Sequence, residues 1–178
     1  TCEFMLPSVA NSYGGTKVKT QEWTETIKLP SEAGVYKLTA DVVLDEAWKV
    51  DKEIVLDLNG YGIRCFGCVV RVMEGGTRLL RDRGSKKQHF YIIKNSEIIN
   101  IGDPGAENPA NENADAGERT EFTGGYIFGS SIAGEQSRTK KAKACVQVEA
   151  GGDFSMEGGT ILTGRVGGGV AVRIVRHL

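Results

Sequence analysis

The feature that most constrains this chain is a recurring phrase in which short β-branched runs are punctuated by paired glycines. Val69-Val70-Arg71-Val72-Met73-Glu74-Gly75-Gly76-Thr77 superposes on Cys145-Val146-Gln147-Val148-Glu149-Ala150-Gly151-Gly152-Asp153 when the Gly pairs are aligned. The runs alternate apolar and polar residues, the period of a strand with one buried face. Near the end of the chain the phrase extends through Asp153-Phe154-Ser155-Met156, Glu157-Gly158-Gly159 and Thr160-Ile161-Leu162-Thr163, then restarts at Gly169-Val170-Ala171-Val172. From Val146 to Val170 is 24 positions, a spacing at which self-similarity marks stacked supersecondary units. The alignment predicts inward columns: Val70 on Val146 on Val170, Val72 on Val148 on Val172, Leu80 on Met156, and Ile127 on Ile161. Arg78 falls where Phe154 points inward, a misfit that in-register stacking accommodates only with a local bulge.

The chain has 178 residues, enough for one domain with a sizeable core. Of these, 24 are Gly and only 4 are Pro; with 40% hydrophobic residues, the glycines read as repeated turns rather than disorder. The 22 basic residues nearly balance 23 acidic ones, so no global field favours nucleic acid or an anionic membrane. No apolar run approaches the roughly 18 residues of a membrane-spanning helix. The sequence begins Thr1-Cys2-Glu3, so any targeting signal is expected to be removed or to lie outside this sequence. Strand-length pieces fill the chain after residue 35, among them Tyr36–Leu44, Ile54–Leu58, Val69–Val72 and Phe90–Ile93.

The run Gly34-Val35-Tyr36-Lys37-Leu38-Thr39-Ala40-Asp41-Val42, followed by Val55-Leu56-Asp57-Leu58-Asn59-Gly60-Tyr61, resembles the start of right-handed β-helix domains in surface proteins of Firmicutes and gut bacteria. Phe154-Ser155-Met156-Glu157-Gly158-Gly159-Thr160-Ile161 is similar to their repeat. The resemblance spans residues 34–82 and 124–174. It implies an all-β, right-handed parallel β-helix in an exported, modular protein, often adhesive or carbohydrate-associated, and carries over no catalytic residue. The expected organisation is an N-terminal cap over residues 1–34, in which Glu22–Leu29 reads as a strand. A β-helix over 35–178 follows, with insertions at about 83–124 and 131–144. The first insertion holds a further strand pair, Phe90–Ile93 and Glu97–Ile99, then a polar loop from Gly102 to Thr123. The final repeat breaks off after its first strand, so end-to-end self-association is also expected.

Candidate binding residues lie mainly in the insertions. Asp103 and Asp115 belong to an acidic loop with the oxygen chemistry of a calcium site but without EF-hand or RTX-type spacing, which favours a solvated loop. Arg138, Lys140, Lys141 and Lys143 form a basic cluster; no aromatic residue interleaves with it, which disfavours nucleic acid. Trp48, Tyr61 and Tyr91 offer rings that would stack on sugars or pack under loops. Cys65-Phe66-Gly67-Cys68 is a CxxC with no second pair to complete a zinc site, and packing in the core is the favoured role. The register sets Cys68 beside Ala144, next to Cys145, with thiols favoured over a disulfide. No metal or cofactor is expected.

The function expected from these features is a non-enzymatic extracellular or cell-surface bacterial module contacting a glycan or a host or cell-surface protein. Neither nucleic acid nor membrane insertion is expected. A polysaccharide lyase or hydrolase is the first alternative; it would need paired carboxylates on adjacent repeats, and only Asp41, Asp45 and Asp57 are acids near early strands. A structural spacer is the second.

Overall fold

The structure is a computed structural model, and it describes residues 18–66, 68–92, 98–102, 118–130, 144–163 and 172–174. Its described elements are sixteen β-strands and no helix. Thirteen strands form three parallel sheets. Sheet I holds β1 (Thr20–Trp23), β2 (Gly34–Leu38), β5 (Glu53–Asp57), β8 (Thr77–Arg81) and β14 (Asp153–Glu157). Sheet II holds β3 (Val42–Leu44), β6 (Gly62–Phe66), β12 (Tyr126–Ser130) and β15 (Thr160–Thr163). Sheet III holds β4 (Trp48–Val50), β7 (Val70–Val72), β13 (Val146–Val148) and β16 (Val172–Ile174). From β2 onward the chain visits sheets I, II and III in turn, and each new strand joins the strand of the preceding circuit. The run Tyr36–Leu44 is therefore two strands in two sheets, and the first strand is Thr20–Trp23 rather than Glu22–Leu29.

Registers between circuits bear out most predicted columns. Val70 pairs with Val146 and Val72 with Val148, Met156 with Leu80, and Ile127 with both Ile63 and Ile161. The last step differs by two residues: Val146 pairs with Val172 and Val148 with Ile174, while Val170 lies outside the described residues. The step from Val146 to its partner Val172 exceeds the 24-residue period by those two positions. Because strand faces alternate with period two, a two-residue slip keeps the same face turned inward and leaves no trace in the hydrophobic pattern.

One apolar cluster draws on all three sheets, with Tyr36, Leu38, Leu56 and Leu80 from sheet I, Val42 and Ile63 from sheet II, and Val50, Val70, Val72 and Val146 from sheet III. Burial thins along the strand order, since Val172 and Ile174 are 39% and 63% exposed. At the other end, Thr26 O accepts from Val43 N (2.8 Å), Leu29 is buried, and Trp48 donates its indole N–H to Pro30 O (2.8 Å).

The paired glycines do two jobs. Gly75 and Gly151 take φ of 77° and 81°, the left-handed region that side chains resist. Their partners Gly76 and Gly152 press on the preceding circuit, where a Cβ would run into the Val50 and Met73 carbonyls respectively. The turn repeats because each copy is stacked on backbone.

Arg78 is the exception in the core, and it needs no bulge. It stays in strict register between Ile54 and Phe154, points inward and is fully buried. Its guanidinium lies 3.5 Å from the centre of the Trp48 ring and Nη1 reaches Ile54 O at 3.5 Å, while Nε and Nη2 meet no acceptor among the described residues.

Between β8 and β12 the chain makes an excursion into an antiparallel sheet of order β10-β9-β11, with β9 Lys87–Ile92, β10 Ile98–Gly102 and β11 Glu118–Thr123. The segment Gly102–Thr123 was expected to be loop throughout, yet its last six residues pair with β9 along their whole length.

Candidate functional site

Sheet I turns one face to the core and the other outward. The outward residues nearest the strand ends form a ladder of alternating sign: Glu22 opposite Lys37, Lys37 opposite Asp57, Asp57 opposite Arg81, and Arg81 opposite Glu157. Opposite charges on adjacent strands contribute about 0.2–1 kcal/mol per pair, and like charges there cost a similar amount. The ladder thus reinforces the register that the inward apolar columns set. Lys37 Nζ lies 3.7 Å from a Glu22 carboxylate oxygen. Asp57 and Arg81 are only 7% and 6% exposed. The neighbouring outward row is apolar, with buried Val35 and Val55 packed against Val18 and Leu79.

Across these strands runs a groove of about 600 Å³. Lys19, Lys37, Arg81 and Arg83 line it with Glu22 and Asp57, so four cations face two carboxylates around a floor that includes Val35. A second hollow beside Ile27, Leu44 and Trp48 is half the size, about 300 Å³, and is lined by Lys28, Lys49, Asp45 and Glu46, two charges of each sign with no excess of cations. The groove on sheet I is therefore the better candidate contact surface: it pairs apolar floor with convergent polar groups, as ligand sites do.

The corner between sheets I and II is held by acidic and amide side chains. Asp41 Oδ1 accepts from Gly62 N (2.8 Å), and Asp57 Oδ1 accepts from Asn59 N (2.9 Å) and Arg83 N (3.1 Å). Asn59 takes φ of 51° and donates its side-chain amide to Leu38 O (3.1 Å). Asp82 accepts from Gly60 N (2.9 Å) and Gly84 N (3.1 Å) through Oδ1 and from Gly125 N (2.6 Å) through Oδ2. It therefore ties the two ends of the excursion to the previous circuit. Gly84 sits so close to Gly60 that a Cβ would overlap its backbone nitrogen. Two of the three acids noted near early strands, Asp41 and Asp57, thus serve backbone amides in the turns. Asp45, exposed, lies between β3 and β4 at a different corner.

The sequence-derived candidates are placed as follows. Trp48 is a core residue, 6% exposed, with Arg78 over one ring face, so it offers no platform to a sugar. Tyr61 is half-buried against the core, and the Lys86 ammonium lies 5.3 Å from its ring centre. Asp103, Asp115, Arg138, Lys140, Lys141 and Lys143 lie outside the described residues, and the side chain of Tyr91 is not described. Lys19, Lys37, Arg81 and Arg83 were missed. For Lys37 and Arg81 the signal in the sequence was outward alternation with opposite sign on successive circuits, readable only once sheet I is in register; Lys19 and Arg83 flank β1 and β8 and carried no such signal. Among the described residues no group of three or more His, Cys, Asp or Glu is arranged to hold a metal. Cys65 and Cys145 are buried and Cys68 is half-buried, and none of the three is in a disulfide.

No family model matches the chain, and neither a curated protein nor a solved structure is similar to it.

Proposed function

We propose that the chain is a right-handed parallel β-helix acting as a non-enzymatic, exported bacterial surface module that contacts a glycan through the groove on sheet I. The repeated visiting of sheets I, II and III in fixed order supports the helix, and right-handed crossovers are the rule for parallel strands. The observation that carries the functional reading is the groove itself, with four cations and two carboxylates across neighbouring strands. Its walls come from side chains on strands and their flanking turns, so they are held at the spacing of the strands, about 4.8 Å. That spacing is close to the length of one pyranose unit, which suits an extended saccharide lying across the sheet. Engagement of Asp41 and Asp57 by backbone amides favours contact over acid–base hydrolysis.

A glycan array combined with reducing-sugar and lyase-absorbance assays tests the reading. Binding without product formation, lost in Arg83→Glu and reduced by salt, is expected. Product from any polysaccharide overturns the non-enzymatic assignment, and binding unaffected by Arg83→Glu overturns the groove. The same reading assigns the outer edges of β14, β15 and β16 to association with a second copy, favoured by exposed Val172 and Ile174. Sedimentation showing a strict monomer at high concentration overturns that part.

A further inference from the structure

The corner between sheets II and III gathers three cysteines from two neighbouring circuits. Cys65 is the last residue but one of β6, Cys68 precedes β7, and Cys145 precedes β13. Because Val70 pairs with Val146, stepping back one residue sets Val69 beside Cys145. The backbone follows this register, with Val69 N and Val70 N both donating to Cys145 O at 2.8 and 3.2 Å. Cys68 is then the diagonal neighbour of Cys145. Cys68, Val69 and Cys145 lie in the turns before the strands, where the alternation of faces is broken and Val69 and Val70 are both buried; at strand spacing of about 4.8 Å and a rise of about 3.3 Å, one step off register is about 5.8 Å between Cα atoms. That falls within the 4.4–6.8 Å window of protein disulfides. The alternative partner within the CxxC, Cys65, belongs to sheet II, where it pairs with Gly129, whereas the Cys68 thiol donates to Val70 O (3.3 Å) on the sheet III side.

We propose that Cys68 and Cys145 are an oxidisable pair that closes to a disulfide when the chain meets a small-molecule or protein disulfide, stapling two neighbouring circuits. The less buried partner, Cys68, reacts first. The Cys68 thiolate attacks one sulfur of oxidised glutathione, forming a mixed disulfide and expelling one glutathione thiolate. Cys145 then gives up its proton and attacks Cys68 Sγ, forming the Cys68–Cys145 bond and expelling the second glutathione. Two electrons pass to the oxidant, and the two thiol protons end on the two glutathiones released. Burial pushes the Cys145 thiol up to about 12, opposed by the backbone N–H of Gly129 that donates to it and reinforced by the nearby Cys68 and Cys65. The second step is therefore the slow one, and the mixed disulfide at Cys68 accumulates ahead of it.

The test is oxidation of the fully reduced chain with oxidised glutathione in mildly alkaline buffer, acid quenching at intervals, and peptide mass mapping without reduction. The expected order is glutathionylated Cys68 first, then a linked peptide pair containing Cys68 and Cys145, with Cys65 still alkylatable after denaturation. The melting temperature of the parent should rise on oxidation. Cys68→Ser should give neither link nor rise, and Cys65→Ser should give both. A Cys65–Cys68 link, a link through Cys2, or three thiols that remain alkylatable after prolonged oxidation overturns the proposal.

Discussion

Replacing Arg78 with Met tests how this core tolerates a charge. Arg78 is fully buried, and among the described residues no carboxylate pairs with it. On the favourable side stands the stack on Trp48 at 3.5 Å, worth about 2 kcal/mol when desolvated. To this is added one long contact to Ile54 O at 3.5 Å, at the limit of a useful hydrogen bond. Against it stand the loss of hydration of the cation, several kcal/mol in real proteins, and two nitrogen atoms with no acceptor among the described residues, each costing about 1–3 kcal/mol. The penalties exceed the gains, so Arg78→Met, which keeps a long flexible stem, should stabilise the fold by about 1–4 kcal/mol. For a chain of this size that is about 2–4 °C in melting temperature per kcal/mol. Urea unfolding at neutral pH should show a higher midpoint with an unchanged slope. The pH dependence has a definite sign. Burial lowers the Arg78 pKa well below its ordinary value, so in alkali the folded state gives up the proton before the unfolded state does. Above the folded pKa the unfolded state binds more protons, and stability rises with pH relative to the Met variant. The gap between the two proteins should therefore narrow as the solution is made alkaline. A Met variant less stable than the parent by more than about 1 kcal/mol would refute the reasoning. It would mean that the guanidinium holds an anion or ordered water that outweighs its desolvation.

Three further perturbations address register, corner and groove. Val148→Asp should destabilise by several kcal/mol, because it buries a charge with no partner, whereas Ile174→Asp on the same column should change stability by no more than about 0.5 kcal/mol; equal effects in urea unfolding would refute the register. Asp82→Ala should cost about 2–4 kcal/mol by orphaning three backbone amides. It should also move the first sites of limited proteolysis into residues 83–124, and an unchanged cleavage pattern would show that other contacts hold the excursion. Reversing one rung with Lys37→Glu sets like charges against Glu22 and Asp57. It should lower stability by about 0.5–2 kcal/mol at low salt, with part of the loss recovered at high salt, as measured by thermal melts across ionic strength.

The parallel columns were legible in the sequence because they follow from two local rules. Alternation at Val70-Arg71-Val72 and Val146-Gln147-Val148 sets which face turns inward, and the Gly pairs after them set where each strand ends. Aligning the pairs was enough to superpose Val70 on Val146 and Leu80 on Met156. The same rules were silent on corner length, so the step to β16 came out two residues short. They were also silent on Glu118–Thr123, whose charged and β-branched residues read as loop until β9 supplied a partner strand. Arg78 looked like a defect because a pattern of apolar and polar letters has no symbol for a guanidinium lying on an indole.

By itself, then, the sequence determined an all-β chain of short strands, their inward faces and the stacking of like residues, since each depends on neighbours a few positions apart or on a repeated phrase. Only the tertiary structure decided which charges meet. Glu22, Lys37, Asp57, Arg81 and Glu157 stand at unequal separations along the chain, and their alternation in sign exists only across the strands of sheet I. The nearness of Cys68 to Cys145, by contrast, was already set by aligning the Gly pairs, and the pairing of β7 with β13 agrees with it. The physical reason for the difference is that a column across parallel strands is written by the lengths of the connections between them, and those lengths vary freely at the surface while the core fixes only the face.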